Sequence, residues 1–247
     1  MTALGALCSD FYVNQKLSLK MDLPSSREAV LDLFDRVRKV HPSMDRFRRY
    51  DGELALESPE GEAQYQWLAL GKTAIRSGWV NPENLESAYA LHRMLLEVTP
   101  YYLSISPLDV DFAELVFGFD IEAETNRNRI VFDALMSESP LTGLIDPDRE
   151  EMLDAQPFLG FSLSHRCDMQ AFVEVKTRTR SSEVASGRFE SEPISVYLTV
   201  RRYGPFKSIG DLQAAFGALA GHAERLAEER VIPAVLMPIR TTLLSQP

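Results

Sequence analysis

Three chemically reactive side chains lie close together in the sequence at His165, Cys167 and Asp168. A thiol beside an imidazole can act as a nucleophile, and a carboxylate can orient the imidazole. However, His165 and Cys167 are two positions apart near the end of a predicted strand, where nothing brings the ring and the sulfur together. We therefore predict a tight turn between two strands here and assign no catalytic residue.

The remaining histidines complete no hydrolytic or metal-binding motif. His92 lies on an apolar helical stripe, as expected of a core histidine bonded to backbone or to a tyrosine. His41 precedes Pro42 at a predicted helix end, where a cation is favourable, and His222 is expected at the surface. No H-x-x-x-H or H-E-x-x-H spacing occurs, so the sequence predicts no zinc site.

The run from Asp146 superficially resembles the start of a calcium loop, with acidic residues at alternate positions. The sixth position of such a loop requires glycine and is Glu151 here, and the twelfth is Pro157 instead of glutamate. Asp146 followed by Pro147 and acidic residues is instead typical of a helix start. We predict a short helix there.

Cofactor signatures are also missing. Cys8 and Cys167 are the only cysteines, too few for a four-thiolate zinc site or an iron–sulfur cluster. No Walker loop, G-x-G-x-x-G or G-x-S-x-G motif occurs. We therefore predict no metal and no cofactor. Sparse cysteines favour a reducing compartment, so we expect a cytoplasmic protein, and the lack of a long apolar stretch predicts no membrane-spanning helix.

Charge is the skewed feature of the composition. The chain has 26 Lys and Arg and 36 Asp and Glu, a net charge of −10, which disfavours binding to nucleic acid or anionic membrane. The basic positions form three runs: Arg36, Arg38, Lys39, Arg46, Arg48 and Arg49; Lys176, Arg178, Arg180 and Arg188; and Arg201, Arg202 and Lys207. The opposing acidic run is Asp109, Asp111, Glu114, Asp120, Glu122 and Glu124. These runs could pair across a homodimer or receive a small anionic ligand or an acidic partner. The simpler interpretation is solvated faces.

The elements that must position these residues follow from hydrophobic periodicity. The chain has 247 residues, 45% of them hydrophobic and 25% charged, which is typical of one or two globular domains. Alternation predicts strands over residues 11–23, 47–57, 64–80, 113–123, 158–165, 169–179 and 194–203, with Gly71 and Gly78 as bulges. Capping residues predict helices that begin after Ser25, Asn81, Asn126, Asp146 and Ser208, a polar loop over residues 181–192, and a break or kink at Pro233 and Pro238.

An internal repeat becomes visible when the numbering is shifted by 100. Strand positions Leu17, Leu19 and Met21 then coincide with Phe117, Phe119 and Ile121, and the cap Ser25-Ser26 coincides with Thr125-Asn126. We interpret residues 1–107 as a βαββα unit and residues 108–247 as a similar unit with one extra strand. Chance similarity of a common strand–cap–helix pattern is the alternative.

Together these patterns predict an α+β fold. Two pseudo-repeated βαββ(β)α units share a mainly antiparallel sheet with helices on one face, and we expect one compact structural domain. This element order resembles ferredoxin-like folds and the duplicated βαββ small-molecule-binding modules of some transcription regulators. The resemblance rests on element order alone, and fold likeness does not carry function.

The function predicted from these features is a non-catalytic binding or assembly module that self-associates through its sheet or charged surfaces. The alternative is a small-molecule effector-binding protein whose ligand lies on the outward face of the sheet, between the two units. Its candidate ligand-binding residues are Trp67, Arg76, Trp79, Glu174, Arg178, Tyr197 and Arg201, and Gln66 is predicted on the same face. A third hypothesis is an enzyme in which Glu174 is the base near His165.

Overall fold

The computed structural model describes residues 2–24, 26–61, 63–146 and 149–245, and a nine-stranded antiparallel sheet dominates it. The strands are β1 (Asp10–Leu19), β2 (Arg46–Tyr50), β3 (Glu53–Glu57), β4 (Tyr65–Leu70), β5 (Ala74–Val80), β6 (Val110–Ala123), β7 (Phe158–Ser162), β8 (Met169–Lys176) and β9 (Glu192–Tyr203). Their order across the sheet is β2-β3-β4-β5-β1-β6-β9-β8-β7.

The centre of the sheet is the antiparallel pair β1 and β6. Phe11 lies opposite Phe119, and Leu17 lies opposite Ala113. The other strands of the first half continue outward from β1, and those of the second half continue outward from β6. The two halves of the chain therefore contribute to a single sheet, which ends in β2 on one side and β7 on the other.

Helices flank the strands in both halves. They are α1 (Arg27–Val40), α2 (Leu85–Tyr102), α3 (Arg127–Leu135), α4 (Ser181–Ser186), α5 (Ile209–Leu226) and α6 (Met237–Leu244). Single 3-10 turns occur at Gly5–Leu7, Pro107–Asp109 and Pro140–Leu144. Within the described residues, no helix is both long enough and apolar enough to cross a bilayer.

The core lies between one face of the sheet and the helices. Phe11, Val13 and Leu17 project from alternate positions of β1 onto this inner face and are fully or almost fully buried. Leu91 of α2 and Phe216 of α5 are fully buried in the same cluster. Amphipathic helices bury their apolar stripes in this way, and the burial stabilises the sheet and the helices together. The alternate strand positions form the outer face.

Two predicted long strands are in fact hairpins. Residues 47–57 contain β2 and β3, joined at Asp51 and Gly52, and Gly52 adopts φ +76°, a conformation that favours glycine. Residues 64–80 contain β4 and β5, and Gly71 starts their turn by donating its N–H to the Ala74 carbonyl at 2.9 Å. Gly78 forms no bulge, because it pairs in register with Asn14. The first half therefore has four strands between its helices, and the extra strand belongs to it instead of the second half.

Several helices begin at residues other than those predicted. The Asn126 and Ser208 caps are confirmed, whereas Ser25 lies outside the described residues and Ser26 caps α1. Asn84 caps α2 in place of Asn81, which has φ 50° and uses its side-chain amide to accept the Phe11 N–H at 2.9 Å. Asparagine tolerates this left-handed conformation better than most residues.

The second half departs from the prediction at three places. Residues 149–157 form no helix, while Pro147 and Asp148 lie outside the described residues. The predicted polar loop contains α4. The C-terminal helix is broken at neither Pro233 nor Pro238, because a π-helical segment, Ala227–Leu236, carries it into α6, which contains Pro238 in its first turn. Proline has no N–H to donate, and a widened turn accommodates that loss.

A buried arginine joins α3 to the connection between β8 and β9. Arg127 is fully buried and donates to the carbonyls of Thr177 at 2.8 Å and Glu190 at 2.6 Å, and to the Glu183 carboxylate at 3.0 Å. The backbone N–H groups of Arg180 and Glu190, together with Arg127, lower the pKa of Glu183 to about 2. Each charge is thus matched by several partners, as a buried ion pair requires.

We expect the Arg127→Met variant to lose about 3–5 kcal/mol of unfolding free energy, because it leaves the Glu183 carboxylate buried without its cation. Arg129→Met is the matched control on the same helix, since Arg129 pairs with Asp133 at 2.8 Å at the surface. That change should cost under about 1 kcal/mol. Urea unfolding of both variants measures the difference, and equal losses would contradict the role given to Arg127.

Candidate functional site

The outer face of the sheet holds most of the candidate residues. Strand register puts Trp67, Arg76, Glu174, Tyr197 and Arg201 there, on the same side as Tyr12 and Lys16 of β1. Arg178 lies just beyond β8 and reaches back over this face to Tyr197, with 3.0 Å between its guanidinium and the tyrosine hydroxyl.

Trp79 and Gln66 lie on the inner face, contrary to the prediction. Trp79 pairs with Val13 and is almost buried, with its ring centroid 6.2 Å from that of His41. Gln66 is buried opposite Trp79. The turn between β4 and β5 changes the phase of the alternation, so Trp67 and Trp79 point to opposite faces although both have odd numbers.

A tyrosine cluster occupies one end of the outer face. Asp120 accepts hydrogen bonds from the hydroxyls of Tyr12, at 2.5 Å, and Ser195. Arg178 donates to the Ser195 hydroxyl at 2.5 Å. Burial and the bond to Asp120 raise the pKa of Tyr12. Ser195 is fully buried, so its hydroxyl cannot reach a substrate and serves to hold the cluster together.

A second cluster surrounds Arg201, farther along β9, the strand that also contains Ser195. Arg201 forms an ion pair with Glu114 and donates to the Tyr203 hydroxyl at 2.9 Å. Its guanidinium lies 4.4 Å from the centroid of the Phe112 ring and 5.3 Å from that of Phe172. Cation–π and ionic contacts within the protein therefore already satisfy this cation.

The other charged candidates on this face are paired as well. Arg76 bonds to Glu53, and Glu174 lies 3.3 Å from Lys176. Arg178 is bonded to Ser195, and Arg201 lies six residues farther along β9 than Ser195. Six residues of a strand span about 20 Å, so the two arginines are held far apart. The candidate residues thus do not converge on one pocket. They form a broad surface of aromatic rings with internally paired charges.

The cluster at His165 lies in the connection between β7 and β8, where the sequence predicted a turn. Asp168 bonds to Ser164 and Arg202, and these bonds lower the pKa of its carboxyl group. Glu174 lies five residues along β8 from Met169, about 16 Å from the turn. The base and the histidine of the enzyme hypothesis are therefore not brought together.

The predicted acidic run does not form one continuous surface patch. Its central members Glu114 and Asp120 lie on the central strand β6, where both are buried and bonded to neighbours on the outer face. The basic run is different, because Arg46, Arg48 and Arg49 are exposed on the edge strand β2. Because Glu114 and Asp120 are buried, they cannot pair with the exposed arginines of another copy across a dimer.

The sequence analysis did not identify Tyr12 or Phe112, and it placed Glu114 and Asp120 in an acidic run instead of in the two clusters that these four residues complete. Phe112, Glu114 and Asp120 alternate with the inner-face positions of β6, and Tyr12 alternates with those of β1. Strand pairing was the missing information, because Glu114 meets Arg201 only through the register of β6 with β9.

Within residues 2–24, 26–61, 63–146 and 149–245, no three His, Cys, Asp or Glu side chains are grouped so as to hold a metal ion. Comparison with models of known protein families finds no match. Comparison with curated proteins finds no significant match either. The function must therefore be inferred from the geometry of the chain itself.

His92 is fully buried between the sheet and the helices, as predicted for a core histidine. Its ring nitrogens lie 2.8 Å from the Ser77 hydroxyl and 3.1 Å from the Val13 carbonyl, and the Phe216 ring lies against it. Burial, with a smaller effect of His41, lowers the pKa of His92 to about 4. The ring is therefore neutral in the folded protein and serves the core.

We expect this histidine to make the fold sensitive to acid. In the unfolded chain His92 binds a proton below the ordinary histidine pKa, about 6.5. In the folded protein it binds that proton only below its lowered pKa of about 4, so protonation between these values favours the unfolded state. Stability should therefore fall by about 3 kcal/mol as the pH drops through this window.

Urea unfolding between these pH values tests the expectation with two variants. His92→Gln should flatten the pH dependence, even though it lowers stability overall. His165→Gln, at an exposed histidine, should leave the dependence unchanged. A slope that survives in His92→Gln would show that another group causes it.

Proposed function

We propose that the protein is a non-catalytic binding and assembly module, and that its first partner is a second copy of the chain paired along β7. The observation that carries this proposal is the character of the β7 edge. Its sequence is Phe158-Leu159-Gly160-Phe161-Ser162, without a charged residue, and Phe158 and Leu159 are 60% and 66% exposed. An exposed apolar edge strand is a template for pairing with another chain.

The opposite edge of the sheet has the reverse character. Strand β2 carries Arg46, Arg48 and Arg49 among its five residues, all exposed. Charges of one sign on an edge prevent two copies from pairing there. Association through β7 and protection at β2 would stop the sheet from growing without limit, since a two-fold contact closes on itself.

The hydrogen-bond pattern of β7 defines the geometry of self-pairing. The backbone N–H of Leu163 donates to the Met169 carbonyl, and the N–H of Val175 donates to the Pro157 carbonyl. Because hydrogen-bonded pairs alternate along an antiparallel ladder, the backbone groups of Leu159 and Phe161, between these ends, also point toward β8. The N–H and C=O groups of Phe158, Gly160 and Ser162 consequently point away from β8. Two antiparallel copies centred on Gly160 bring Leu159 of each opposite Phe161 of the other, an apolar pair.

The outer face supports the same class of function. Paired sheets would extend a surface that already carries Trp67, Phe112, Phe172 and Tyr197, and aromatic residues are enriched at protein contacts. The alternative, a small anionic ligand on this face between the units, has less support. Arg76, Arg178 and Arg201 would each have to exchange an internal partner for the ligand.

We also propose that residues 1–107 and 108–247 are two copies of one ancestral unit within one compact domain. When β2 of the first half and the short helix α4 of the second half are left out, both halves have the element order βαβββα, which supports the βαββ(β)α unit and its ferredoxin-like relationship. The central strands pair with each other, and an arginine begins the helix after each of them, at Arg27 and Arg127. These parallels support duplication over chance.

The self-association is tested with the Leu159→Lys variant, which puts a cation opposite Phe161 of the partner copy. We expect the wild-type chain to form a concentration-dependent dimer, and the variant to remain a monomer at the same concentrations. Light scattering coupled to size exclusion measures both masses, and circular dichroism checks that the variant is folded.

Leu108→Lys is the matched control, because Leu108 is 67% exposed and lies outside β7. It should dimerise like the wild type. A wild-type chain that stays monomeric at every concentration, or a dimer that survives in Leu159→Lys, would refute pairing along β7.

A further inference from the structure

A groove of about 700 Å³ opens beside the first turn of α1, at the end of the sheet where the β2–β3 hairpin turns. It is lined by Val30 and Leu31 of α1 and by Phe47 and Leu54 of the hairpin. Leu70 at the end of β4 lies at its base. Buried Val30 and Leu70 give it an apolar floor, and Leu31 and Phe47 remain exposed at its sides.

Two arginines without ionic partners lie at this groove. Arg27 and Arg49 line it and are both exposed, and no carboxylate of the described residues forms an ion pair with either. The acidic residues of the lining are already engaged, Asp22 with Lys72 at 3.5 Å and Glu53 with Arg76. The groove therefore combines an apolar floor with two available guanidinium groups.

In the second half of the chain, the arginine that corresponds to Arg27 is Arg127, and other residues cover it. Arg27 is the first residue of α1 after β1, and Arg127 is the first residue of α3 after β6, the strand paired with β1. Arg127 is fully buried under residues 177–191, which contribute the Glu183 carboxylate and two backbone carbonyls.

The length of one connection explains the difference. The chain passes from β8 to β9 through residues 177–191, long enough to fold over Arg127 and present Glu183. The equivalent passage from β4 to β5 is residues 71–73, a tight turn closed by the hydrogen bond from Gly71 to Ala74. Such a turn cannot extend over Arg27. The first half thus has the arginine but not the segment that would cover it.

We propose that the groove binds a peptide segment of a partner protein, with a carboxylate side chain on Arg27 and Arg49 and an apolar side chain on the floor. Glu183 on Arg127 shows the chemistry within this chain, because one guanidinium nitrogen of Arg127 donates to both carboxylate oxygens of Glu183 at 3.0 Å, and hydrogen bonds between two charged groups are stronger than neutral ones. The apolar side chain of the bound peptide would cover Leu31 and Phe47, removing two exposed hydrophobic side chains from water.

The test is a selection of phage-displayed random dodecapeptides against the full-length protein, followed by affinity measurements on the enriched peptides. We expect enriched sequences to share Asp or Glu next to a large apolar residue. Arg27→Gln should weaken their binding at least about tenfold, as the loss of a charge-assisted hydrogen bond predicts. Added salt should weaken binding to the wild type.

Arg36→Gln is the matched control, an exposed arginine on the same helix, about 13 Å along its axis from Arg27. It should bind the peptides like the wild type, and so should Leu159→Lys, which alters a different surface. The proposal is overturned if no peptide is enriched or if enriched peptides lack a carboxylate. It is also overturned if Arg27→Gln and Arg36→Gln bind equally well.

Discussion

The antiparallel pairing of β1 with β6 is the contact on which the rest of the structure depends. It joins strands from the two halves of the chain and buries Phe11 against Phe117, with 5.4 Å between ring centroids. Because these strands lie at the centre, all others must add outward, which gives the sheet one covered face, one outer face and two edges. Each proposed interaction uses a part of the sheet or its helices that this arrangement leaves uncovered.

The sequence predicted those features that depend on local interactions. The caps at Asn126 and Ser208 were identified because a side chain bonds to backbone only three residues away. The α+β class followed from the periodicity. The hairpins were missed because a single alternating phase was extended across their turns, although Asp51-Gly52 is a strong hairpin signal that could have been recognised. Trp79 was assigned to the wrong face for the same reason.

The candidate site was less predictable because it depends on register. Arg201 was recognised as an outward cation, but its pairing with Glu114 comes from residues 87 positions apart in sequence. Strand pairing of this kind is invisible to periodicity in one sequence. The same is true of the β7 edge, because only the order of the strands reveals which apolar strand has no neighbour on one side.

Hydrogen exchange at individual backbone amides, followed as the protein concentration is raised, tests the proposed assembly most directly. The amides of Phe158, Gly160 and Ser162 point away from β8, so they should exchange rapidly in dilute protein and become protected when two copies pair. Amides of the arginine-rich strand β2 should not change. Exchange at Gly160 that stays equally rapid at every concentration, or protection that develops at β2 instead, would contradict assembly through β7.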